Sequence, residues 1–305
     1  MTIKNHSKIC LIISCCIFVV ALLMTVFGYG VNMGIDFAGG MSMQYDMHTT
    51  VGQAEVEGIL ADMGISGSSV TIQGNNKNEV NIRIPSVGDD EVQSIQSSFL
   101  EKARAIYPET TQSGEISYVG PVAGRTLIAN AIYSVLIAAA LMLVYIAIRF
   151  DLNSGLAAVF GLTHDVLMML AFMVLLRSFI QVNSTFIAAM LTIVGYSINN
   201  TIVIFDRIRE NARKNPSMGK VDVVNRSVKE CLGRTINTTL TTLVTIVALY
   251  VLGVDSIREF ALPIIVGILA GVYSANMING YVWAWLEEKR KSRKAAKARP
   301  VAKKA

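Results

Sequence analysis

The sequence predicts an α-helical membrane protein with six transmembrane helices and one α+β domain outside the membrane, between the first and second helices. Hydrophobic residues make up 52% of the 305 residues and charged residues only 16%, a balance unlike that of soluble domains. Six apolar stretches have the roughly 20 residues needed to cross about 30 Å of hydrocarbon. The segment 31–125 is polar and long enough to fold alone. The predicted spans are 9–28, 127–148, 153–176, 185–205, 236–253 and 260–284.

Basic residues lie in three short segments beside the spans and predict the orientation of the chain. They precede the first span within residues 1–30, fill the loop 206–235 of the bundle 126–285, and form the tail 286–305. By the positive-inside rule all three segments are cytoplasmic, so both termini are inside and the domain 31–125 is extracytoplasmic. The net charge of +5 therefore reflects topology rather than nucleic-acid binding. These segments either anchor the topology only or also bind anionic lipid or a partner.

The segment 31–125 has the pattern of a small α+β domain. Alternating and helical periodicities give the order βαββαβ, which is the ferredoxin-like arrangement with two helices on one face of an antiparallel sheet. The first helix is expected to start at a capping box formed by Thr50 and Gln53. The predicted elements are a strand at 35–45, a helix at 50–64, strands at 70–72 and 80–84, a helix at 89–107 and a strand at 115–119.

Several kinds of chemistry are not supported by the sequence. The first apolar stretch could be a cleaved signal peptide, but the residues after Phe27 lack an A-x-A site, so an uncleaved first span is expected. With three histidines and no H-E-x-x-H motif, no metal site, cofactor or enzymatic activity is predicted. No disulfide is expected, because none of the cysteines lies in the outside domain. The cysteines are Cys10, Cys15, Cys16 and Cys231.

Polar side chains form stripes on the fourth and fifth spans. Tyr196 and Asn199 or Asn200 share one side of the fourth span, and Arg234 and Thr238 begin a similar stripe on the fifth. At about 1.5 Å per residue the two stripes lie at the same depth. Polar groups inside a bilayer usually face the protein or a water path. Interhelical hydrogen bonding and an ion pathway both fit this pattern.

An ionisable pair, His164 and Asp165, lies near the middle of the third span. Both side chains must face protein or water, because lipid would leave them uncompensated. A proton relay and a satisfied structural pair are both consistent with the two residues alone. In the sixth span, Gly267 and Gly271 form a GxxxG motif, which indicates close helix packing.

Five motifs in order along the chain resemble those of the SecF side of the SecD/SecF family. The string at 195–211 is the most diagnostic, whereas GIDFxGG alone also occurs in SecD. The matches run in order over residues 34–239. They are GIDFAGG at 34–40, VGPVAG at 119–124, HDV at 164–166, GYSINNTIVIFDRIREN at 195–211 and RTINTT at 234–239.

The resemblance implies a fold, partners and an activity. It implies a six-helix half of the resistance-nodulation-division superfamily that pairs with SecD in the bacterial inner membrane. With the SecYEG translocon, such a complex uses the ion-motive force to assist export of a translocating preprotein. It also implies that the glycine-rich motifs Asp36, Phe37, Gly39 and Gly40, with Gly120 and Pro121, are hinges or static turns beside the outside domain.

One residue departs from the family pattern. Family members usually carry Asp where this chain has Asn200, and an amide cannot exchange a proton. Coupling in this half is therefore expected to depend on an acidic residue of the partner, with Arg234, Asp165 and Asp206 as electrostatic neighbours. Two alternative functions also fit the sequence, namely a scaffold subunit without ion conduction and half of a small-molecule exporter.

Overall fold

The computed structural model describes residues 3–74, 76–85, 87–177 and 180–298. The extreme ends of the two basic termini predicted above, residues 1–2 and 299–305, lie outside the described residues. The chain divides into two compact units, one formed by Met33–Ser134 and the other by Met1–Asn32 with Val135–Ala305.

The first unit, Met33–Ser134, is built on an antiparallel sheet whose strand order is β2-β3-β1-β4, with β5 also paired to β1. Met43 of β1 lies opposite Ile82 of β3, and Val70 of β2 lies opposite the same residue. The elements are α2 (Ile35–Ala38), β1 (Gly40–Asp46), α3 (Gln53–Asp62), β2 (Ser69–Gln73), β3 (Glu79–Ile84), a 3-10 turn (Asp89–Glu91), α4 (Val92–Ile106), β4 (Thr111–Gln112), β5 (Ser117–Val119) and the start of α5 (Pro121–Arg149).

The core of this unit lies between one face of the sheet and the helices α3 and α4. Successive strand residues point to opposite faces, so Met41, Met43 and Tyr45 all point into the core and are fully buried. Phe99 of α4 packs on Tyr45 with ring centroids 5.1 Å apart. The opposite face of β1 carries polar residues such as Ser42, which hydrogen-bonds Asn81 of β3.

The predicted strand 35–45 is wrong in its first half, which forms the short helix α2. The amides of Phe37 and Ala38 both donate to the carbonyl of Gly34, and the chain then turns through Gly39 and Gly40 at φ values of +74° and +121°. The alternation that predicts a strand begins only after these glycines. The strand therefore starts at Gly40, where a Cβ would lie 2.3 Å from the Ile84 carbonyl oxygen.

The predicted start of the helix at 50–64, which is α3 in the structure, is also wrong. The amide of Gly52 donates to the Glu55 carboxylate, so the helix begins at Gln53, whereas the Thr50 hydroxyl donates to the carbonyl of Asn76. Because Gly52 has no side chain that could cap the helix, the sequence signal for this start is Glu55, whose carboxylate bonds the Gly52 amide.

The second predicted helix and the last strand also differ in detail. The helix predicted at 89–107 is a 3-10 turn followed by α4, and Ile106, the last residue of α4, is 59% exposed. The last predicted strand consists of two short strands, β4 and β5, which pair with different parts of β1. Two short strands carry too few residues to show alternation.

The second unit is a bundle of long apolar helices. Besides α5, its helices are α1 (Ile3–Val26), α6 (Leu152–Leu175), α7 (Ser184–Lys214), α8 (Lys220–Leu252), α9 (Asp255–Ser274), a π-helical segment (Ala275–Asn279) and α10 (Gly280–Ala298). Among the residues that the structure describes, six helical stretches are long and apolar enough to cross a membrane, in agreement with the predicted number. They are Ser7–Val26, Val122–Arg149, Leu152–Leu175, Ser184–Lys214, Lys220–Leu252 and Ser256–Ser292.

The predicted loop 206–235 is largely helical instead. α7 continues to Lys214 and α8 begins at Lys220, because charged side chains one turn apart stabilise these ends. Lys214 bonds Glu210 at 2.7 Å and Arg226 bonds Glu230 at 2.9 Å. A polar composition does not by itself indicate a loop.

The GxxxG motif has the packing role that the sequence predicts. Gly267 and Gly271 of α9 face α7, where an added Cβ would lie 2.5 Å from Ile193 Cγ1 and 3.2 Å from Ser197 Cβ, respectively. The absence of these two side chains lets α9 and α7 approach closely. This close contact positions the polar residues described below.

Candidate functional site

A buried hydrogen-bond network lies at the centre of the bundle around His164 and Asp165 of α6. His164 Nδ1 is 3.0 Å from Asp165 Oδ1. The Ser197 hydroxyl of α7 and the Ser274 hydroxyl of α9 both donate to the other carboxylate oxygen, Asp165 Oδ2. His164 and Asp165 are only 4% and 1% exposed. The carboxylate is therefore removed from lipid and compensated by donors from three helices.

Helix α1 completes this network from the other side of the imidazole. The Ser14 hydroxyl lies 2.8 Å from His164 Nε2 and 3.1 Å from the carbonyl oxygen of Cys10. The same carbonyl accepts a hydrogen bond from the Tyr273 hydroxyl, and the rings of Phe18 and Tyr273 contact the imidazole. Both ring nitrogens of His164 thus have a polar partner.

The polar stripes of α7 and α8 meet, as their equal depth predicts. The Tyr196 hydroxyl donates to the Thr238 carbonyl at 3.2 Å and lies 3.3 Å from the Thr242 hydroxyl. Asn200 is 3% exposed, and its amide nitrogen lies 3.5 Å from the Thr239 hydroxyl. Interhelical hydrogen bonding, one of the two interpretations left open above, therefore exists at this site.

Asn199 and Asn200 point in different directions. Asn199 is exposed and lines a cavity of about 430 Å³ between α7 and α5, together with Tyr145. Only Asn200 faces α8. The structure thus resolves which of the two asparagines belongs to the stripe, a choice that helical spacing left open.

Arg234 and Thr238 lie on the exposed side of α8. The Thr238 hydroxyl donates to the carbonyl of Arg234 at 2.9 Å, and the Arg234 side chain makes no ion pair within the described part of the chain. Asn237 and Thr241 are also exposed on this helix. The polar surface of α8 is therefore only partly covered by α7.

Asp206 is not near the His164–Asp165 network and instead pairs with Arg149 at the end of α5. The rings of Phe150 and Phe205 pack beside this ion pair at 6.0 Å. Ile146 and Phe150 are buried, whereas most of α5 before Ile146 is exposed. The ion pair thus belongs to a contact that joins the C-terminal end of α5 to α7.

The glycine-rich motifs adopt tight, close-packed backbone conformations. A Cβ on Gly124, in the first turn of α5, would lie 3.2 Å from the carbonyl oxygen of Phe37. Phe37 is buried, Asp36 is half-buried, and Gly120 accepts the first backbone hydrogen bond of α5 from Gly124. The helix begins at Pro121, a position where a missing amide proton costs nothing.

Two buried asparagines of the π-helical segment were missed by the sequence reasoning. Asn276 accepts a hydrogen bond from Thr235 of α8 at 3.2 Å, and Asn279 donates to Thr201 of α7 at 3.1 Å. A Cβ on Gly161 of α6 would overlap the Asn279 amide. The sequence feature that indicates these asparagines is a group of three polar residues within an apolar span, Ser274, Asn276 and Asn279. π-helical segments are frequent at functional sites.

Together, the fold and this network define a multi-pass helical membrane protein with a buried polar centre. A family model described as protein export membrane protein SecD/SecF, C-terminal, matches residues 99–289, and a SecD/SecF GG motif matches residues 26–51. The chain belongs to the SecD/SecF family.

Relatives support this membership over nearly the whole chain. A protein translocase subunit SecF of Alicyclobacillus acidocaldarius is 37% identical over 90% of this chain and 89% of its own length. A SecF of Rickettsia bellii is 35% identical over 82% of each chain. A SecDF of Bacillus subtilis is 34% identical over 87% of this chain but only 36% of its own length.

A solved structure has the same fold. The crystal structure of SecDF, a translocon-associated membrane protein from Thermus thermophilus, aligns with a TM-score of 0.81 and 32% identity. The alignment covers 96% of this chain and 39% of that protein. This chain thus spans about two fifths of the solved SecDF chain, in which SecD and SecF are named together.

Proposed function

We propose that this chain, which takes part in protein translocation, acts by sharing ion-motive coupling with SecD. In this proposal it has no catalytic activity and pairs with SecD in the inner membrane. The pair assists the SecYEG translocon while a preprotein crosses, with both termini of this chain inside and the domain at 31–125 outside. Relatives that join SecD and SecF in one chain support the SecD partner.

The observation that carries the proposal is the uncovered polar surface of α8. Arg234, Asn237 and Thr241 are exposed at or near membrane depth, and lipid contact with such groups is costly. A partner helix with polar and acidic residues would compensate them. Asn200, which faces α8 from the other side, cannot titrate, so we propose that the proton-exchanging carboxylate at this interface comes from SecD.

The outside domain is proposed to be ferredoxin-like. The strand order β2-β3-β1-β4 and the two helices that share its core support this assignment. We further propose that the Gly39, Gly40, Gly120 and Pro121 segments are the joints through which movement of α7 and α8 reaches the domain. Gly39 and Gly40 have positive φ values, a backbone conformation that other residues rarely adopt, and this supports a specific role for the segment.

The proposal is tested with an export assay that compares Arg234→Leu with Arg234→Lys. A secreted reporter is followed in cells with only the variant subunit, with and without an agent that collapses the membrane potential. We expect Arg234→Leu to slow export to the level of the collapsed membrane and Arg234→Lys to retain part of the rate. Wild-type export by Arg234→Leu would remove this charge from the mechanism.

One observation favours the scaffold alternative. The buried side chain of Asn200 is an amide, which cannot exchange a proton. A scaffold subunit would keep its contribution to export when the membrane potential is collapsed, whereas a coupled complex would lose it. The same assay therefore separates the two functions.

A further inference from the structure

Two buried polar atoms have no hydrogen-bond partner within the described part of the chain. They are the Ser7 hydroxyl oxygen of α1 and Asn279 Oδ1 of the π-helical segment, in residues that are 0% and 1% exposed. Such groups are rare in native proteins and usually bind ordered water. Both atoms are therefore able to accept a hydrogen bond from a water molecule inside the bundle.

These two atoms lie on the same side of the His164–Asp165 pair. Ser7 precedes Ser14 by seven residues, or about 10 Å along α1, and Asn279 follows Ser274 by five residues, or about 7 Å. α10 passes the end of the bundle where α6 begins, as the hydrogen bond between Asn153 and Glu287 shows. α1 runs in the same direction as α6, because Ser14 contacts His164 and the later residue Ala21 packs with Ala171. Hydration at both atoms would thus lie between the pair and that basic end.

The surroundings of His164 satisfy two protonation states without a change of side-chain position. When the imidazole is neutral, Nδ1–H donates to Asp165 and Nε2 accepts from the Ser14 hydroxyl. When it is protonated, Nε2–H donates to Ser14 Oγ, and the Ser14 hydroxyl rotates to donate to the Cys10 carbonyl 3.1 Å away. A hydroxyl is both donor and acceptor, so Ser14 suits a site that gains and loses a proton.

The groups around the pair leave its charge free to change. The carboxylate accepts from Ser197 and Ser274. Within the described helices, the Tyr273 ring of α9 contacts the imidazole, and its hydroxyl donates to the backbone carbonyl of Cys10 in α1. Within the described helices no lysine or arginine contacts Asp165. The net charge of the pair is −1 with a neutral imidazole and zero after one proton has been taken from water.

We propose that His164 and Asp165 form a proton-binding site of this subunit, connected to the basic end of the bundle by water held at Ser7 and Asn279. This inference rests on the proposed function, because it supplies the titratable group that Asn200 does not. It places the site inside this subunit, between α1, α6, α7 and α9, and away from the uncovered surface of α8.

The test follows the imidazole of His164 directly by nitrogen NMR. The full chain is labelled with ¹⁵N-histidine, carries His6→Gln and His48→Gln so that one histidine remains, and is reconstituted in phospholipid bilayers. We expect the ring to take up and release a proton reversibly as the pH of the surrounding solution is varied. We expect this exchange to be lost in Asp165→Asn and unchanged in Thr163→Val, which alters the exposed side of the same turn.

Water access is tested separately through Asn279→Leu, which removes the unpartnered oxygen at similar volume. Deuterium exchange at the His164 ring is expected to be several-fold slower than in the wild type. Size-exclusion elution and the melting temperature identify variants that fail to fold. A wild-type ring that does not titrate, or one that titrates identically in Asp165→Asn, overturns the proton site, and unchanged exchange in folded Asn279→Leu overturns the water route. These readouts need neither SecD nor export, so they can fail or succeed independently of the proposed function.

Discussion

Single residues carry much of the structural specificity of this chain, and Gly40 is a clear case. Its φ of +121° is unfavourable for any side chain, and the Ile84 carbonyl occupies the place of a Cβ. The family motif that contains it is therefore explained by backbone packing at the start of β1.

We expect Gly40→Ala to destabilise the unit Met33–Ser134 by about 1 to 3 kcal/mol, the usual range for a strained backbone position. The matched control is Gly58→Ala in α3, where an added Cβ meets open space and helix propensity predicts a gain of about 0.5 to 1 kcal/mol. Hydrogen exchange of β1 measured by mass spectrometry distinguishes the two. Equal protection in both variants would contradict the steric argument.

A second residue-scale prediction concerns pH. Hydrogen bonds from Tyr107 and then from the Gly52 amide hold the pKa of Glu55 below its usual range. Because the folded-state pKa is lowered, the stabilisation by this carboxylate is present above its unfolded pKa of about 4.3 and is lost as the pH falls.

The difference in melting temperature between wild type and Glu55→Gln should therefore be present at neutral pH and vanish in acid. Thermal unfolding over a pH series measures it, with Glu115→Gln as a control. A difference that persists unchanged at low pH would show that the substitution acts through packing.

At the scale of elements, the contact between α7 and α9 depends on side-chain size. We expect Gly267→Leu to force the helices apart, because its first side-chain atom alone would lie 2.5 Å from Ile193 Cγ1. Overpacking of this kind typically costs about 1 to 3 kcal/mol. The melting temperature in detergent should fall relative to Gly195→Leu, which points into open space, and equal values would contradict the close contact.

The connected ends of α7 and α8 form another testable element. Glu230 bonds Arg207, Asn211 and Arg226 and so joins the two helices. We expect Glu230→Gln to loosen the hairpin and increase tryptic cleavage near Lys220. Glu288→Gln in α10 serves as the control, and unchanged cleavage in Glu230→Gln would show that apolar packing alone holds the hairpin.

The sequence predicts whole elements better than their ends. Six apolar stretches predict six helices because bilayer thickness fixes their length, and the alternation in β1 and β3 predicts the sheet. Hydropathy does not report hydrogen-bonded side chains on neighbouring helices, so the partners of Asp165 on α7 and α9 could not be predicted. The polar residue Asn279 also lacked a periodic signal, because its position depends on a π-helical segment.

For the whole molecule, the two adjacent asparagines of α7 allow a matched experiment. Asn200→Asp places a carboxylate toward α8, and Asn199→Asp places one toward α5. We expect only Asn200→Asp to change the dependence of reporter export on external pH, because only this carboxylate would lie on the proposed ion path. An equal effect of both variants would indicate a general effect of added charge.

Under the proposed ion coupling, the amide at Asn200 also limits the energy available to the assembly in each cycle. One elementary charge that crosses the membrane potential supplies about 2.3 kcal/mol per 100 mV. In the proposed coupling, a half with an amide at this position carries one elementary charge fewer through this position per turnover than a half with Asp there. We therefore propose that this single side chain partly sets the number of protons used per length of exported chain, which a pH-sensitive dye measures in vesicles.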